Sequence, residues 1–232
     1  MSSQALKEAV CAANQALGPS GLVKLTWGNV SGIDRTQGLW GIKPSGVDYG
    51  DLTPDDIVVL DLEGRVVEGK LRPSSDTKTH LHLYREFEEI GGVTHTHSPC
   101  ATAFSQAGHE LPCFGTTHAD HFYGSVPVVR ALTPAEVDED YEHFTGVAIV
   151  ERLRELNLNP LEVPGVLQIH HAPFTFGKSA MDSLKNSIAL EMCAQMALDT
   201  LRLAPGAFPI PAHILEKHYQ RKHGPGAYYG QK

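Results

Sequence analysis

The sequence lacks three patterns that would each assign it to a particular class of protein. No window holds the roughly 18 consecutive apolar residues of a membrane-spanning helix. Residues 1–18 show helical periodicity instead of the unbroken apolar core of a signal peptide. The four cysteines Cys11, Cys100, Cys113 and Cys193 are scattered without a Cys-x-x-Cys pair, which disfavours a disulfide framework. These absences predict a soluble, cytoplasmic protein with no membrane partner.

Basic residues are also too few for a general nucleic-acid-binding surface. The chain has 19 Lys and Arg against 27 Asp and Glu, a formal net charge of −8. Phosphate backbones are attracted to basic surfaces, so neither a nucleic acid nor an anionic membrane is an expected partner. An anionic small molecule would therefore need a local binding site.

The apolar pattern predicts a single α/β domain over residues 1–232, with a central mixed, mainly antiparallel sheet flanked by helices. No repeat, low-complexity tract or long linker divides the chain. Helices are predicted over residues 5–17, 77–87, 99–107, 133–140, 145–156, 180–203 and 211–222. Strands are predicted over residues 22–34, 38–43, 93–97 and 165–170, with a hairpin over 57–69.

The stretch VTHTHSPC carries two histidines, His95 and His97, at the end of a predicted strand. Strand side chains alternate faces, so positions i and i+2 project together, about 6–7 Å apart. A histidine pair alone is equally compatible with a metal site and with ordinary polar roles, because a catalytic zinc needs about three protein ligands. The strand GVLQIH ends in His170 and is followed by His171, and either histidine offers a third ligand. Adjacent strand residues face opposite ways, and we choose His171 because it is nearer the loop.

Asp76 follows Ser74 and Ser75 at the start of a predicted helix. These residue types are common N-caps, and capping is the favoured local interpretation of Asp76. The same hydroxyls and the free backbone N–H groups of a helix start also suit a phosphate group.

Two glycine-containing loops, TWGNVSG and KPSGVDY, offer similar groups for binding a phosphate. They offer Asn29 in the first loop and Lys43, Ser45 and Gly46 in the second. Each alone is compatible with a tight turn. Together with the serines before Asp76, they make a sugar phosphate a plausible ligand.

Taken together, the chain resembles the L-ribulose-5-phosphate 4-epimerases of the class II aldolase/epimerase superfamily. The resemblance is carried by TWGNVSG, KPSGVDY, PSSDT, GGVTHTHS, GTTHADHFYG, PGVLQIHHAPF and KHYQRKHGPGAYYGQ. It implies a three-layer α/β/α fold and a homotetramer with active sites between neighbouring subunits. It also implies a role in carbohydrate metabolism, such as arabinose catabolism.

The resemblance also implies residue roles. His95, His97 and His171 would bind Zn²⁺, or another divalent ion such as Mn²⁺ or Co²⁺, with Asp76 as a further ligand or a nearby acid/base group. Substrate or phosphate contacts are implied for Asn29, Lys43, Ser45, Gly46, Ser74 and Ser75. Asp120 and Tyr229 would transfer protons, with Thr116, Glu142 and His218 in supporting positions at the substrate. Without the resemblance, KHYQRKH is a solvated helix end and Tyr229 belongs to a packing tail.

The implied substrates, L-ribulose 5-phosphate and D-xylulose 5-phosphate, differ only at C4. The C4 hydrogen is not α to the C2 ketone, which excludes simple deprotonation. Retro-aldol cleavage of C3–C4, rotation of the aldehyde and re-addition would invert C4. Such a reaction calls for a Lewis acid and for two acid/base groups, one on each face, with proton affinities tuned towards neutrality.

Three alternatives stay open. One is a sugar-phosphate aldolase of the same superfamily, which would release the aldehyde. A second is a metal-dependent hydrolase, which the lack of an HExxH motif disfavours. A third is a non-catalytic metal-binding protein.

Overall fold

Eight strands form one sheet in the computed structural model, which describes residues 3–229. The strands are β1 (Gly28–Asp34), β2 (Leu39–Ile42), β3 (Val58–Asp61), β4 (Val66–Glu68), β5 (Gly92–Thr96), β6 (Val128–Val129), β7 (Gly165–Gln168) and β8 (Pro173–Gly177). Their order is β4-β3-β2-β1-β5-β8-β7-β6. Neighbours are antiparallel except for the parallel pair β6 and β7. The predicted mixed, mainly antiparallel sheet is confirmed.

The helices agree closely with the ranges predicted from periodicity. They are α1 (Ser3–Leu17), α2 (Thr77–Glu86), α3 (Pro99–Ala107), α4 (Thr116–Ala119), α5 (Pro134–Glu155), α6 (Ala180–Leu203) and α7 (Ala212–His223). Helices α3 and α6 have the predicted bounds. Local signals explain this accuracy at α3, which has a proline in its first turn and ends at the left-handed Gly108.

Alternating side chains of the strands bury both faces of the sheet. In β3, Val58 and Leu60 pack into one hydrophobic cluster with side chains of α2 and α5. Val59 points the other way and packs into a cluster with side chains of α1 and the start of α6. A third cluster joins α3 and α6 to Leu167 of β7. This arrangement confirms the three-layer α/β/α fold.

Sequence reasoning missed three short elements and misplaced the start of a fourth. Strand β8 was not predicted, because the four residues 169–172 that separate it from β7 carry no Asn-Gly type of turn signal. The short elements α4 and β6 were also missed, and strand β1 begins at Gly28 rather than at residue 22. The two helices predicted over 133–140 and 145–156 are both present, but they meet at a kink at Asp140, which has non-helical φ and ψ of −167° and 86°, instead of being separated by a gap of four residues.

Within residues 3–229, no helix is both long enough and apolar enough to cross a membrane.

Candidate active site

Strand β5 carries His95 between two hydrogen-bonded neighbours, β1 on one side and β8 on the other. His95 pairs with Asn29 of β1 and with Phe174 of β8. Its ring is buried and stacks on the Phe174 ring, with centroids 4.2 Å apart. Its Nδ1 lies 3.0 Å from the carbonyl oxygen of Pro173. Because a carbonyl only accepts, Nδ1–H must donate, and Nε2 keeps its lone pair.

That Nε2 faces two further histidines. His95 Nε2 lies 3.2 Å from His97 Nε2, and one ring nitrogen of His171 completes a group whose atoms all lie within 4.8 Å of one another. His171 comes from the turn between β7 and β8. In that turn His170 has a left-handed φ of 59°, and its side chain is exposed. The structure therefore brings His171, and not His170, to the other two histidines; its role as a metal ligand stays a prediction.

The nitrogen geometry fits a divalent metal ion. Zn–N bonds of about 2.0–2.1 Å in a tetrahedral site place two nitrogens about 3.3 Å apart, close to the separation of His95 and His97. Burial lowers the pKa of His95 to about 3 and that of His171 to about 4, and burial also lowers the pKa of His97. The three imidazoles are therefore neutral near pH 7, which is the form that binds metals.

Asp76 does not cap helix α2 with its side chain, so the capping interpretation is wrong. Its Oδ2 instead accepts a hydrogen bond of 2.6 Å from Asn29 Nδ2. The same Asn29 nitrogen lies 3.1 Å from Ser74 Oγ. Asp76 lines the cavity of the histidines but is outside the group of three whose nitrogens converge. Its role as a further ligand stays a prediction.

A cavity of about 510 Å³ brings the histidines together with the six expected substrate contacts. Those contacts are Asn29, Lys43, Ser45, Gly46, Ser74 and Ser75. Two loops form the wall opposite the histidines, and they are joined by backbone hydrogen bonds from Ser45 to Arg72 and from Ser74 to Lys43. Gly46 has φ of 73°, and nothing lies within 4 Å of the position of a Cβ. The backbone there is open to a ligand.

Positive charge adjoins this wall. Lys43 is buried, its Nζ donates to the carbonyl of Pro44, and burial lowers its pKa. A neighbouring cavity of about 620 Å³ shares the serines of the loops and adds Arg72 and Arg85. A buried ammonium gains stability from an anion, so this end of the site favours a phosphate over a neutral group.

Asp120 lies in a second cluster of polar residues, between the end of α4 and helix α7. Arg221 binds both of its carboxylate oxygens, with Nε–Oδ1 and Nη2–Oδ2 distances of 3.0 and 2.6 Å. His218 Nδ1 lies 3.2 Å from Oδ1, and His223 Nε2 donates to the Asp120 carbonyl over 2.9 Å. The basic residues of KHYQRKH therefore hold Asp120 instead of forming only a solvated helix end.

Burial raises the pKa of Asp120, but hydrogen bonds from Arg221 and His218 outweigh that effect, and its pKa is lowered. The expectation of a proton affinity tuned towards neutrality is wrong for Asp120 in this environment. Tyr229 joins the same cluster, since Arg221 and Lys222 lie 4.9 and 4.7 Å from the centroid of its ring. The two residues expected to transfer protons are thus connected through Arg221.

The two clusters face different spaces within one chain. Among the described residues, those lining the histidine cavity include neither Asp120 nor Tyr229. Thr116 lines a separate cavity of about 320 Å³. Glu142 lies in the first turn after the break in α5, where its carbonyl accepts a hydrogen bond of 2.6 Å from Thr79.

Sequence reasoning missed two features beside the histidines. Tyr141 Oη lies 3.3 Å from His171 Nδ1, and nothing in the sequence pattern indicated a tyrosine at that place. Behind the site, Ser31 Oγ lies 2.7 Å from both His80 Nδ1 and Tyr84 Oη. His80 is buried within α2, and this burial lowers its pKa to about 3.

Comparison with known proteins places this chain in a family. Residues 8–198 match the Class II Aldolase and Adducin N-terminal domain. L-ribulose-5-phosphate 4-epimerase UlaF of Salmonella paratyphi A is 52% identical over 229 residues, 99% of this chain and 100% of the relative. UlaF of Salmonella paratyphi B is 51% identical over the same share of both chains.

Solved structures agree. An L-fuculose 1-phosphate aldolase has a TM-score of 0.78 at 24% identity, covering 95% of this chain and 97% of that one. The L-fuculose-1-phosphate aldolase from Thermus thermophilus has a TM-score of 0.68 at 27% identity, covering 89% and 98%. From the matched domain and these relatives, the chain belongs to the class II aldolase family.

Proposed function

We propose that the chain is an L-ribulose-5-phosphate 4-epimerase, which interconverts L-ribulose 5-phosphate and D-xylulose 5-phosphate. The convergence of three neutral histidines in a cavity walled by hydroxyls, an amide and a lysine is the observation that carries the proposal. The relatives named as this epimerase cover the whole chain and support this choice of substrate. The cytoplasmic location stays a prediction.

The metal would be held by His95, His97 and His171, and we propose zinc as the ion. Mn²⁺ and Co²⁺ are the alternatives with the same ligand chemistry. When bound, the ion would stabilise, as a Lewis acid, the negative charge that cleavage of C3–C4 leaves on the sugar oxygens. Three neutral ligands suit this role because they leave the charge of the ion undiminished.

The phosphate would bind at the loops opposite the histidines. Ser45, Ser74 and Ser75 would donate hydrogen bonds to its oxygens, and Lys43 would supply a nearby positive charge. The open backbone at Gly46 would let a phosphate oxygen approach its N–H closely. Fixing the phosphate and the keto end in this way would hold the C3–C4 bond between the two halves of the cavity.

Proton transfer at the C4 oxygen would use Asp120 and Tyr229. Because Arg221 keeps the Asp120 carboxyl ionised near pH 7, Asp120 would accept the proton of the C4 hydroxyl. The Tyr229 hydroxyl would serve the opposite face, returning a proton after the aldehyde has rotated and the bond has formed again. Thr116, Glu142 and His218 would support these groups.

This mechanism calls for two subunits at each site, because Asp120 and Tyr229 do not line the histidine cavity of their own chain. We therefore propose a homotetramer in which the Asp120 cluster of one subunit completes the cavity of its neighbour. The exposed apolar residues Ile188, Met192 and Met196, spaced four apart along α6, support self-association.

Mixing two inactive variants tests the shared site. His97→Ala and Asp120→Asn subunits, unfolded together and refolded, should regain a measurable part of the native epimerase activity, because some interfaces then combine two intact halves. Each variant refolded alone is the control. No gain on mixing, with tetramers confirmed by light scattering, would place the whole site within one chain.

The second candidate is a sugar-phosphate aldolase, favoured by the structural likeness to the Thermus thermophilus aldolase at 27% identity. Purified protein incubated with L-ribulose 5-phosphate distinguishes the two. The epimerase forms D-xylulose 5-phosphate without accumulating glycolaldehyde phosphate. Accumulation of the aldehyde with no xylulose product would make the chain an aldolase.

A further inference from the structure

Tyr141 contacts the histidine cluster at His171. Its Oη lies 3.3 Å from His171 Nδ1, and the two rings are 6.0 Å apart at an angle of 54°. His171 belongs to a turn and is less buried than His95. Its ring therefore depends more on individual side-chain contacts for its orientation.

The break in α5 places Tyr141 there. Asp140 leaves the helical conformation, and its Oδ1 accepts a hydrogen bond of 3.3 Å from the backbone N–H of His143. This makes Asp140 an N-cap for the second part of α5, with Tyr141 as its first residue. Lys78 of α2 holds the other carboxylate oxygen at 2.5 Å. The position of Tyr141 is thus fixed by a helix start and an ion pair.

His95 shows what such a contact does. The Pro173 carbonyl accepts from its Nδ1–H and so fixes both the tautomer and the ring, leaving Nε2 free to bind. His171 has no comparable backbone contact at Nδ1 among the described hydrogen bonds, and the Tyr141 hydroxyl takes that place.

We propose that Tyr141 is a positioning residue for the metal site: its hydroxyl accepts the Nδ1–H of His171 and presents Nε2 of that histidine to the ion. The inference rests on the proposed function, because it needs the metal site to exist. Groups that orient a metal-binding histidine in this way typically change metal affinity by about 10–100-fold.

The test is the zinc dissociation constant of Tyr141→Phe, measured by competition with a chromophoric chelator. We expect it to rise by about 10–100-fold. The visible spectrum of the Co²⁺-substituted variant should also change, because a loosened His171 alters the ligand field. The thermal midpoint of the metal-free variant should match that of the native chain, since one half-exposed hydroxyl contributes little to folding.

Tyr123→Phe is the matched control. It removes the hydroxyl of another partly exposed tyrosine, which donates to Glu216, and neither residue is among those that line the histidine cavity. This variant should keep the native zinc affinity. Asp140→Ala should weaken zinc binding less than Tyr141→Phe, because it only loosens the support of the tyrosine.

The outcomes separate the two proposals. Native zinc affinity in Tyr141→Phe, or an equal loss in Tyr123→Phe, would overturn the role of Tyr141 and leave the metal site standing. A native chain that binds no zinc would overturn both the positioning role and the proposed metal-dependent function.

Discussion

The histidine cluster and the Asp120 cluster are built in different ways. His95 belongs to the middle of the sheet, and its ring is held by a backbone carbonyl and by stacking on Phe174. Asp120 follows a single helical turn and is held by ion pairs to Arg221 and Lys222 of the last helix. Backbone register therefore positions the proposed metal ligands, whereas charge attraction between distant segments positions the proposed proton-transfer group.

Removing a proposed metal ligand should have the largest effect. His97→Ala should lose bound zinc and lower the epimerisation rate by about 10³-fold or more, since a Lewis acid contributes several kcal/mol. His97 is exposed, so the variant should fold normally. Metal content by mass spectrometry and the rate of xylulose 5-phosphate formation are the measurements.

His170→Ala is the matched control for that experiment, because His170 lies in the same turn as His171 but is exposed and outside the cluster. It should keep both zinc and activity. Full activity in metal-free His97→Ala would remove the metal from the proposed mechanism.

Asp120→Asn should impair the reaction while leaving the histidine cluster intact. We expect a loss of about 10²–10⁴-fold in kcat, because general acid/base groups contribute that much, with one zinc still bound per subunit. Metal analysis and steady-state kinetics on the same sample check this. Loss of zinc would mean that the two clusters are not independent.

Ser75→Ala should show a smaller effect, confined to the phosphate end of the histidine cavity. One lost hydrogen bond to a charged group costs about 1.5 kcal/mol, which corresponds to about a tenfold rise in KM for L-ribulose 5-phosphate. Turnover of unphosphorylated L-ribulose should be unchanged by the substitution. An equal effect on both sugars would place the phosphate elsewhere.

The smallest effect is a pH dependence of stability. The pKa of Asp120 is lowered from its ordinary value of 3.8, so its stabilising contribution is present above that pH and is lost as the pH falls through the lowered pKa. Native protein should therefore melt above Asp120→Asn near pH 6, and the difference should shrink below pH 3.8. A constant difference over that range would mean that Asp120 is not held as an ion.

The sequence predicted the histidine cluster better than the Asp120 cluster for a physical reason. The spacing of His95 and His97 follows from strand geometry, and the periodicity of α3 and α6 follows from local burial. The contact of Asp120 with Arg221 joins residues 101 positions apart, and no local pattern encodes it. Similarly, Tyr141 reaches His171 because α5 breaks at Asp140. The sequence predicted a gap of four residues between two helices, and it did not indicate that the break falls on a single residue.

Strand β5 is hydrogen-bonded along both edges, to β1 and to β8. Amide hydrogens around His95 should therefore exchange with solvent only through global unfolding, even when no metal is present. The three nitrogens would stay preorganised through cycles of metal loss and reloading. The loops that face them lie outside these strands, so substitutions in the loops should leave the arrangement of the three nitrogens unchanged.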